Sequence, residues 1–506
     1  ACGGGSNSST TGNAAKSEDS ASTTETGGTT SSGDIDTSEH VVITYMVTGD
    51  KPDGKSAERL DEMMEKLNAI LTEKVNAELE IYYIGWTDYL SNYNLTLAQM
   101  DGSVDLVGTA SDWLDAWPNA KNGAFLELSE DMLKTYAPKT WESVSQDHWD
   151  LCKYNGSIYL IPEDNYAQWT NHGFIYRLDW AKEAGLTDGV KSWEDLTTYF
   201  KYVKEAYPDM YPLVPNTGTM IYPAWACDVL SDDLGVLENA LSDSTQVVNF
   251  YDTDSFKEYC KWVYQWAQEG LMMPDAVNTT EGYQEFFNSG VGFGTFTSFK
   301  AGFEAEETRK CGKDIVVVQM ENGAPHSTTS MVNASWCIAN NSKNPEKAMQ
   351  MLNLMYTNPE VSNLLVNGIE GDNWVFADES KGVITYPEGV DSSNTSYSSV
   401  GWAWPNEQIT YVWEGDDPDV WEQLGEFNKN AQPSPAKGFV WDNSEVLNEV
   451  TACNNVVEKY RAGLLTGCLD PETAIPQMNQ ELDAAGINTI IEAKQAQLDA
   501  WLAEQN

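Results

Sequence analysis

Basic residues are scarce in this sequence. Lys and Arg total 29 against 78 Asp and Glu, leaving a formal charge of −49 over 506 residues. Such a chain repels phosphate backbones and anionic lipid surfaces, which excludes nucleic-acid binding. Arginine is rarest: Arg59, Arg177, Arg309 and Arg461 are the full set. The planar fork that grips phosphate or carboxylate in two hydrogen bonds is thus nearly missing. His40, His148, His172 and His326 lie far apart with no H-x-x-x-H spacing, so no metal site is expected. No cofactor is expected either. No apolar run approaches the roughly 20 residues of a membrane span, and there is neither a G-x-S-x-G elbow nor an EF-hand loop. No two cysteines have C-x-x-C spacing, which removes zinc-knuckle and thioredoxin-like readings. Cys152, Cys227, Cys260, Cys311, Cys337, Cys453 and Cys468 are expected as buried free thiols.

Aromatics, by contrast, are abundant: 19 Trp, 24 Tyr and 14 Phe. Trp and Tyr pair an apolar face with a polar handle, the combination a binding surface needs. The start of the chain is equally distinctive. Cys2 precedes three glycines, and 24 of residues 1–33 are Ser, Thr, Gly or Asn. Such a tract cannot bury apolar surface and reads as a disordered tether. A Cys before such a tether resembles a mature bacterial lipoprotein, with Cys2 as the lipid-attachment residue. Acylation there would hold the protein on the outer face of the cytoplasmic membrane.

The folded part starts near His40. Val41–Val47, Glu80–Ile84 and Val104–Gly108 read as strands, with helices at 58–76 and 89–100 between them. This alternation predicts a parallel α/β sheet whose ligand loops follow the strand ends, at Gly49, Gly85-Trp86 and Thr109–Trp113. Helices are also expected at 193–207, 255–269, 345–356, 444–461, 471–485 and 488–505, and strands at 291–296 and 315–318. Residues 377–435, rich in Gly, Pro, Ser and Asp, read as irregular.

Gly49-Asp50-Lys51-Pro52-Asp53-Gly54-Lys55-Ser56 fits the P-loop pattern between a strand and a helix. Asp50, Asp53 and Glu58 would oppose a polyphosphate there, so the segment reads as a Pro-Asp-Gly turn into an amphipathic helix. Glu163-Asp164 and Asp232-Asp233 read as solvated or capping groups.

Several blocks, in order, resemble the extracellular solute-binding proteins of family 1, the substrate-capturing lipoproteins of ABC importers. They are Gly173–Asp179 (GFIYRLD), Trp193–Leu196 (WEDL), Asn344–Ala348 (NPEKA) and Gly368–Trp374 (GIEGDNW). Ser434–Phe439 and 485–501 resemble the C-terminal domain of a carbohydrate-uptake subgroup. The resemblance implies a two-lobed periplasmic-binding-protein-like α/β fold that closes by hinge bending, each lobe a mostly parallel sheet flanked by helices. It assigns 1–39 to the tether, 40–165 plus about 328–357 to lobe 1, and 166–327 plus about 358–506, with the helical C-terminal extension, to lobe 2. It implies a monomer, an oligosaccharide ligand and ABC transporter permease subunits as partners. The calcium loop of some relatives is absent at Tyr207–Pro212.

Sugar rings present flat C–H faces that stack on Trp and Tyr, while carboxylates and amides hold hydroxyls. The candidate contacts are Trp86, Asp112 and Trp113 on one lobe, and Trp169, Tyr222, Trp225, Glu370, Trp374, Trp402 and Trp404 on the other. Trp193 and Trp262 lie on helices and read as core; Trp336 is ambiguous. Arg59 and Arg461 are expected outside the cleft, Arg177 in a structural role, and Arg309 paired with Glu304, Glu306 and Glu307. A neutral oligosaccharide follows. The alternative is a secreted glycoside hydrolase or lyase, which would share the acidity and the tryptophans.

Overall fold

The computed structural model describes residues 37–99, 101–111, 113–163, 171–186, 189–216, 227–279, 281–319, 332 and 334–505. Cys2 and the tether lie outside the described residues. So do Asp112, Trp169, Tyr222 and Trp225.

The first sheet places strands Ala77–Ile84, Val41–Thr48, Leu106–Thr109, Ser335–Ile338 and Ile161–Pro162 side by side in that order. The first three are parallel, as the strand–helix alternation predicts, and Ser335–Ile338 runs antiparallel between its two neighbours. Helix Leu60–Val75 buries Leu60, Met63, Leu67, Leu71 and Val75, one stripe at helical spacing. It ends where Asn76 turns left-handed at φ 49° and donates its N–H to Thr72 O.

The second sheet orders Ile315–Val318, Asn171–Arg177, Gly292–Phe299 and Tyr211–Leu213. Here Asn171–Arg177 is antiparallel to both neighbours, so this sheet is mixed rather than mostly parallel. The reason is directional. Asn171, where this strand begins, pairs with Phe299, where its neighbour ends, and the chain runs straight on from Phe299 to Lys300 in the cavity described below. A strand that leaves the cavity must oppose one that arrives there.

Two main cores result. One holds side chains from Ile43 to Ile161 and from Val332 to Trp404; the other holds Phe174 to Phe296 and Ala436 to Leu498. A smaller cluster around Ile175, Val214 and Phe287 covers the other face of the second sheet. Val361, Leu365, Tyr397 and Trp404 therefore pack with the first core, whereas the sequence reading assigns residues from about 358 onward to the second lobe. The physical reason is helix Pro359–Asn367, which lies against helix Leu60–Val75 and carries the following chain with it.

Residues 377–435 are less irregular than expected. They contribute strands Val383–Thr385 and Val412–Trp413 to a three-stranded sheet, and helix Val420–Lys429. The closing helices Leu447–Leu465, Pro471–Ala485 and Ile487–Glu504 bury Leu464, Met478, Leu482, Ile490 and Leu498 in the second core. Lys494 is fully buried there, donating to Leu230 O, Gly235 O and Asp232. Asp232 also accepts from Trp441 Nε1 at 2.9 Å, and Asp233 pairs with Arg461 at 3.3 Å. These two acids, expected as solvated or capping groups, anchor the C-terminal helices, and Asp232 also caps the Leu234 N–H at 3.2 Å. Among the described residues the cysteines are free thiols, but Cys468 is exposed and Cys227 half-buried, unlike the other five. Among the described residues, no helix is long and apolar enough to cross a membrane.

Candidate ligand-binding cleft

A cavity of about 530 Å³ opens between the first core and helix Phe303–Cys311, which packs on the second sheet. That size is typical of small-ligand sites. Its first side is built from the carboxyl ends of parallel strands. The loop Gly49–Asp53 follows the first strand, and Trp86 follows Ala77–Ile84. Asp50 Oδ1 accepts the Trp86 backbone N–H at 3.0 Å and ties the two loops together. The P-loop-like segment is thus a cleft loop. Gly54 sits at φ 55°, residues Gly54–Ala57 form one tight helical turn, and Lys55 pairs with Glu58 at 2.9 Å.

Four rings from three parts of the chain meet at this side: Trp86 and Trp402 line the cavity, and Trp113 and Tyr89 pack against them. Trp86 lies 5.8 Å from Trp113 and 6.0 Å from Trp402 between ring centroids, and Trp113 lies 5.9 Å from Trp402. Tyr89, at the start of helix Tyr89–Gln99, completes the group 5.5 Å from Trp86 and 6.0 Å from Trp113. All four rings are only partly buried. The loop after Trp113 is fixed to the Tyr89–Gln99 helix, because Asn94 Nδ2 donates to Asp115 Oδ2 at 2.9 Å. Segment Gly401–Trp404 is held on the first core by a relay. Trp336 Nε1 donates to Tyr45 Oη at 2.8 Å, and the Tyr45 hydroxyl donates to Ala403 O at 2.8 Å. This resolves Trp336 as a buried support. It also puts Trp402 and Trp404 with Trp86, on the opposite side from the one the sequence reading gives them.

The candidate residues divide as follows. Trp86, Trp113 and Trp402 converge. Trp404 touches the cavity but is buried, donating to Ser399 Oγ at 2.8 Å and packing edge-on to Tyr45. Trp374 is buried against Phe376 and Tyr411, with its Nε1 bonded to Gly368 O. Glu370 is exposed, and neither it nor Trp374 lines the cavity. Their block instead forms a tight turn that presents Asn373 to it.

The other side of the cavity is charged. Helix Phe303–Cys311 and the chain before it supply Lys300, Glu306, Arg309 and Lys310; the chain beyond Trp404 supplies Glu407 and Asp416. Glu306 binds both lysines, Lys300 at 2.8 Å. Burial opposes its ionisation, but the ammonium groups of Lys310 and Lys300 outweigh this and hold the carboxyl well below the usual range. Arg309 pairs with Asp416 at 2.7 Å and lies over the Trp413 ring at 5.2 Å. The sequence reading pairs it with the Glu-rich run, but Glu306 is already taken by the lysines and Arg309 points the other way. Arg59 pairs with Glu62, and Arg177 is buried with Asp179 and stacked on Trp180.

Glu163, expected as a solvated or capping group, is buried. Burial, with Glu407 adding repulsion, pushes its carboxyl well above the usual range. Sequence reasoning missed Tyr89, Glu407 and the lysine–glutamate cluster. The first two lie within five residues of a flagged tryptophan; the cluster carries no local signal.

Two α/β cores, with a cavity between the first and the helix packed on the second sheet, aromatic on one side and polar on the other, define a solute-binding protein. Residues 63–369, more than half of the chain, match the family described as bacterial extracellular solute-binding protein, and the chain belongs to that family. Residues 435–503 match a domain of unknown function. A carbohydrate ABC transporter substrate-binding protein of Streptococcus pneumoniae is 29% identical over 482 residues, covering 92% of each chain. The N-glycan transport solute-binding protein NgtS of Streptococcus pneumoniae, solved with Man5GlcNAc, superposes with a TM-score of 0.79 at 26% identity over 92% of this chain and 100% of that one. FusA of S. pneumoniae, an ABC-transporter substrate-binding protein solved with kestose, shares the fold at TM-score 0.63 and 16% identity, over 92% and 100% of the two chains.

Proposed function

We propose that this protein captures a neutral oligosaccharide outside the cytoplasm and delivers it to the permease of an ABC importer. The observation that carries this reading is the cluster of Trp86, Trp113, Trp402 and Tyr89, two of whose rings, Trp86 and Trp402, line the cavity. A patch of four partly open rings offers stacking faces to pyranose C–H surfaces. The glycoside hydrolase alternative has no comparable support, because the family consists of solute-binding proteins. The relatives named for carbohydrate and N-glycan transport make an N-glycan-type oligosaccharide the first candidate.

The charged side supports a neutral ligand. Lys300, Lys310 and Arg309 are engaged by Glu306 and Asp416, so an incoming carboxylate finds these three cations already paired, and Lys51 on the opposite loop stands between Asp50 and Asp53 in the sequence. Trp169, Tyr222 and Trp225 remain candidate contacts on the second lobe, and Asp112 on the first. Closure of the two lobes on the ligand by hinge bending, and action as a monomer, belong to the same proposal. So does anchoring through an acylated Cys2, supported by the polar tract behind it; Cys2→Ala should release the protein from membranes, and an unchanged membrane fraction would refute the anchor.

The test of binding is calorimetry with Man5GlcNAc, Man1GlcNAc, kestose and an acidic uronate oligomer. At least one neutral glycan should bind and raise the melting temperature by mass action. Preference for the uronate, or enzymatic turnover of any glycan, would overturn the proposal.

A further inference from the structure

Glu407 is the one charged residue on the polar side whose carboxyl makes no hydrogen bond among the described residues. Its neighbours there are spoken for: Lys300 and Lys310 on Glu306, Arg309 on Asp416. Glu407 lines the cavity, yet its Oε2 is buried and unpartnered. The backbone around it is firmly held. Its carbonyl accepts from Thr410 N at 3.0 Å and Thr410 Oγ1 at 2.6 Å, and Asn406 Nδ2 donates to Tyr356 O at 2.8 Å. The carboxyl rests on Gly401, where an added Cβ would fall 2.1 Å from Glu407 Cδ. Gly401 adjoins Trp402, so the open carboxyl sits beside the aromatic cluster. Buried polar atoms are satisfied in nearly all native structures, and an exception calls for a reason.

We propose that Glu407 is a specificity-determining residue: its carboxyl takes as its missing partner a hydroxyl of the sugar that stacks on the Trp86–Trp113–Trp402 cluster. This rests on the carbohydrate reading above and names one polar contact within it.

The electrostatics suit the role. Burial pushes the carboxyl up to about 7; Lys300, Lys310 and Arg309 oppose this, and Glu306 adds to it. Glu407 in turn repels the buried Glu163, which is raised as well but does not line the cavity. Near neutrality Glu407 is therefore partly protonated. The protonated carboxyl both donates and accepts, whereas the carboxylate only accepts. A sugar hydroxyl can pair with either form, with unequal strength, so wild-type affinity should drift between pH 6 and 8.

The experiment measures affinity for Man5GlcNAc, Man1GlcNAc and kestose at pH 6, 7 and 8 in the wild type, Glu407→Ala and Glu407→Gln, with melting temperatures as a fold control. Glu407→Ala should lose about tenfold in affinity for the best-bound probe, the loss of a hydrogen bond to a partly charged group. Glu407→Gln keeps a donor and an acceptor but cannot titrate. It should stay within about threefold of wild type at pH 6 and lose the drift. Wild-type affinity and probe order in Glu407→Ala would overturn the inference while leaving carbohydrate binding intact. If that variant unfolds, the glutamine variant decides, and a drift identical to wild type overturns the inference. Failure of the wild type to bind any of the three probes would instead defeat the carbohydrate reading, and this inference with it.

Discussion

The two sides of the cavity solve opposite problems. The aromatic side leaves Trp86, Tyr89, Trp113 and Trp402 partly open, each touching its neighbours but with faces to spare. The charged side leaves almost nothing open: Glu306 serves two lysines, and Asp416 holds Arg309. Apolar rings can stay partly open because tilted and T-shaped contacts cover only part of their faces and no charge is left to be neutralised. Charges cannot be left in a part-buried wall without partners, since desolvation is too costly. The aromatic side therefore supplies affinity, and the charged side supplies rigidity, a neutral preference and one open hydrogen-bonding group.

The sharpest way to break this division is to unpair the charged side. Glu306→Ala removes the carboxylate that both Lys300 and Lys310 bind, and should lower stability by about 3 kcal/mol, the scale for removing one partner of a buried ion pair. Thermal unfolding reads this as a lower melting temperature; an unchanged one would mean that the cluster carries no structural weight. Next comes Trp402→Ala, which removes the ring touching both Trp86 and Trp113. It should weaken glycan binding by about 1–3 kcal/mol. Calorimetry with the best-bound neutral glycan measures it, and wild-type affinity in a folded variant would move the site elsewhere.

How much of this was legible in the sequence differs between the two sides for the same physical reason. Trp86 and Trp113 follow strand ends in an evident strand–helix alternation, so local pattern and topology were enough. Trp402 could be flagged by type, but not placed. Its side of the cleft is set by the Trp336–Tyr45–Ala403 relay, in which each hydrogen bond joins residues hundreds of positions apart. Trp374 and Trp404 share the residue type yet are buried, because the turn at Gly368 and the Ser399 hydroxyl satisfy their indoles. The charged side was illegible. Among 78 carboxylates, nothing local separates Glu306 and Glu407 from solvated ones. The same holds for Asp232, which only the fold brings to Lys494.

A subtler probe is pH. Glu407 is raised to about 7 in the folded protein, so between the ordinary glutamate range and about 7 the native state holds a proton the unfolded chain has released. Stability should fall as pH rises through that window, and Glu407→Gln should flatten the fall. Glu306 works in the other sense. Its carboxyl is held low, so its stabilisation is full above the usual range and is lost only in acid. Melting temperatures from pH 5 to 8 check the first claim; a curve for Glu407→Gln parallel to wild type would contradict it. The smallest expected effect is that of salt. With Lys300, Lys310 and Arg309 paired internally, affinity for a neutral glycan should change by less than about twofold between low and high ionic strength. A steep dependence would mean that the charged side meets the ligand through ion pairs.

The most direct measurement is a crystal structure of the protein with its best-bound neutral oligosaccharide. The account predicts a sugar ring in van der Waals contact with at least one of Trp86, Trp113 and Trp402, and a hydroxyl hydrogen-bonded to Glu407. An oligosaccharide bound outside this cavity, with those three rings uncovered, would contradict it.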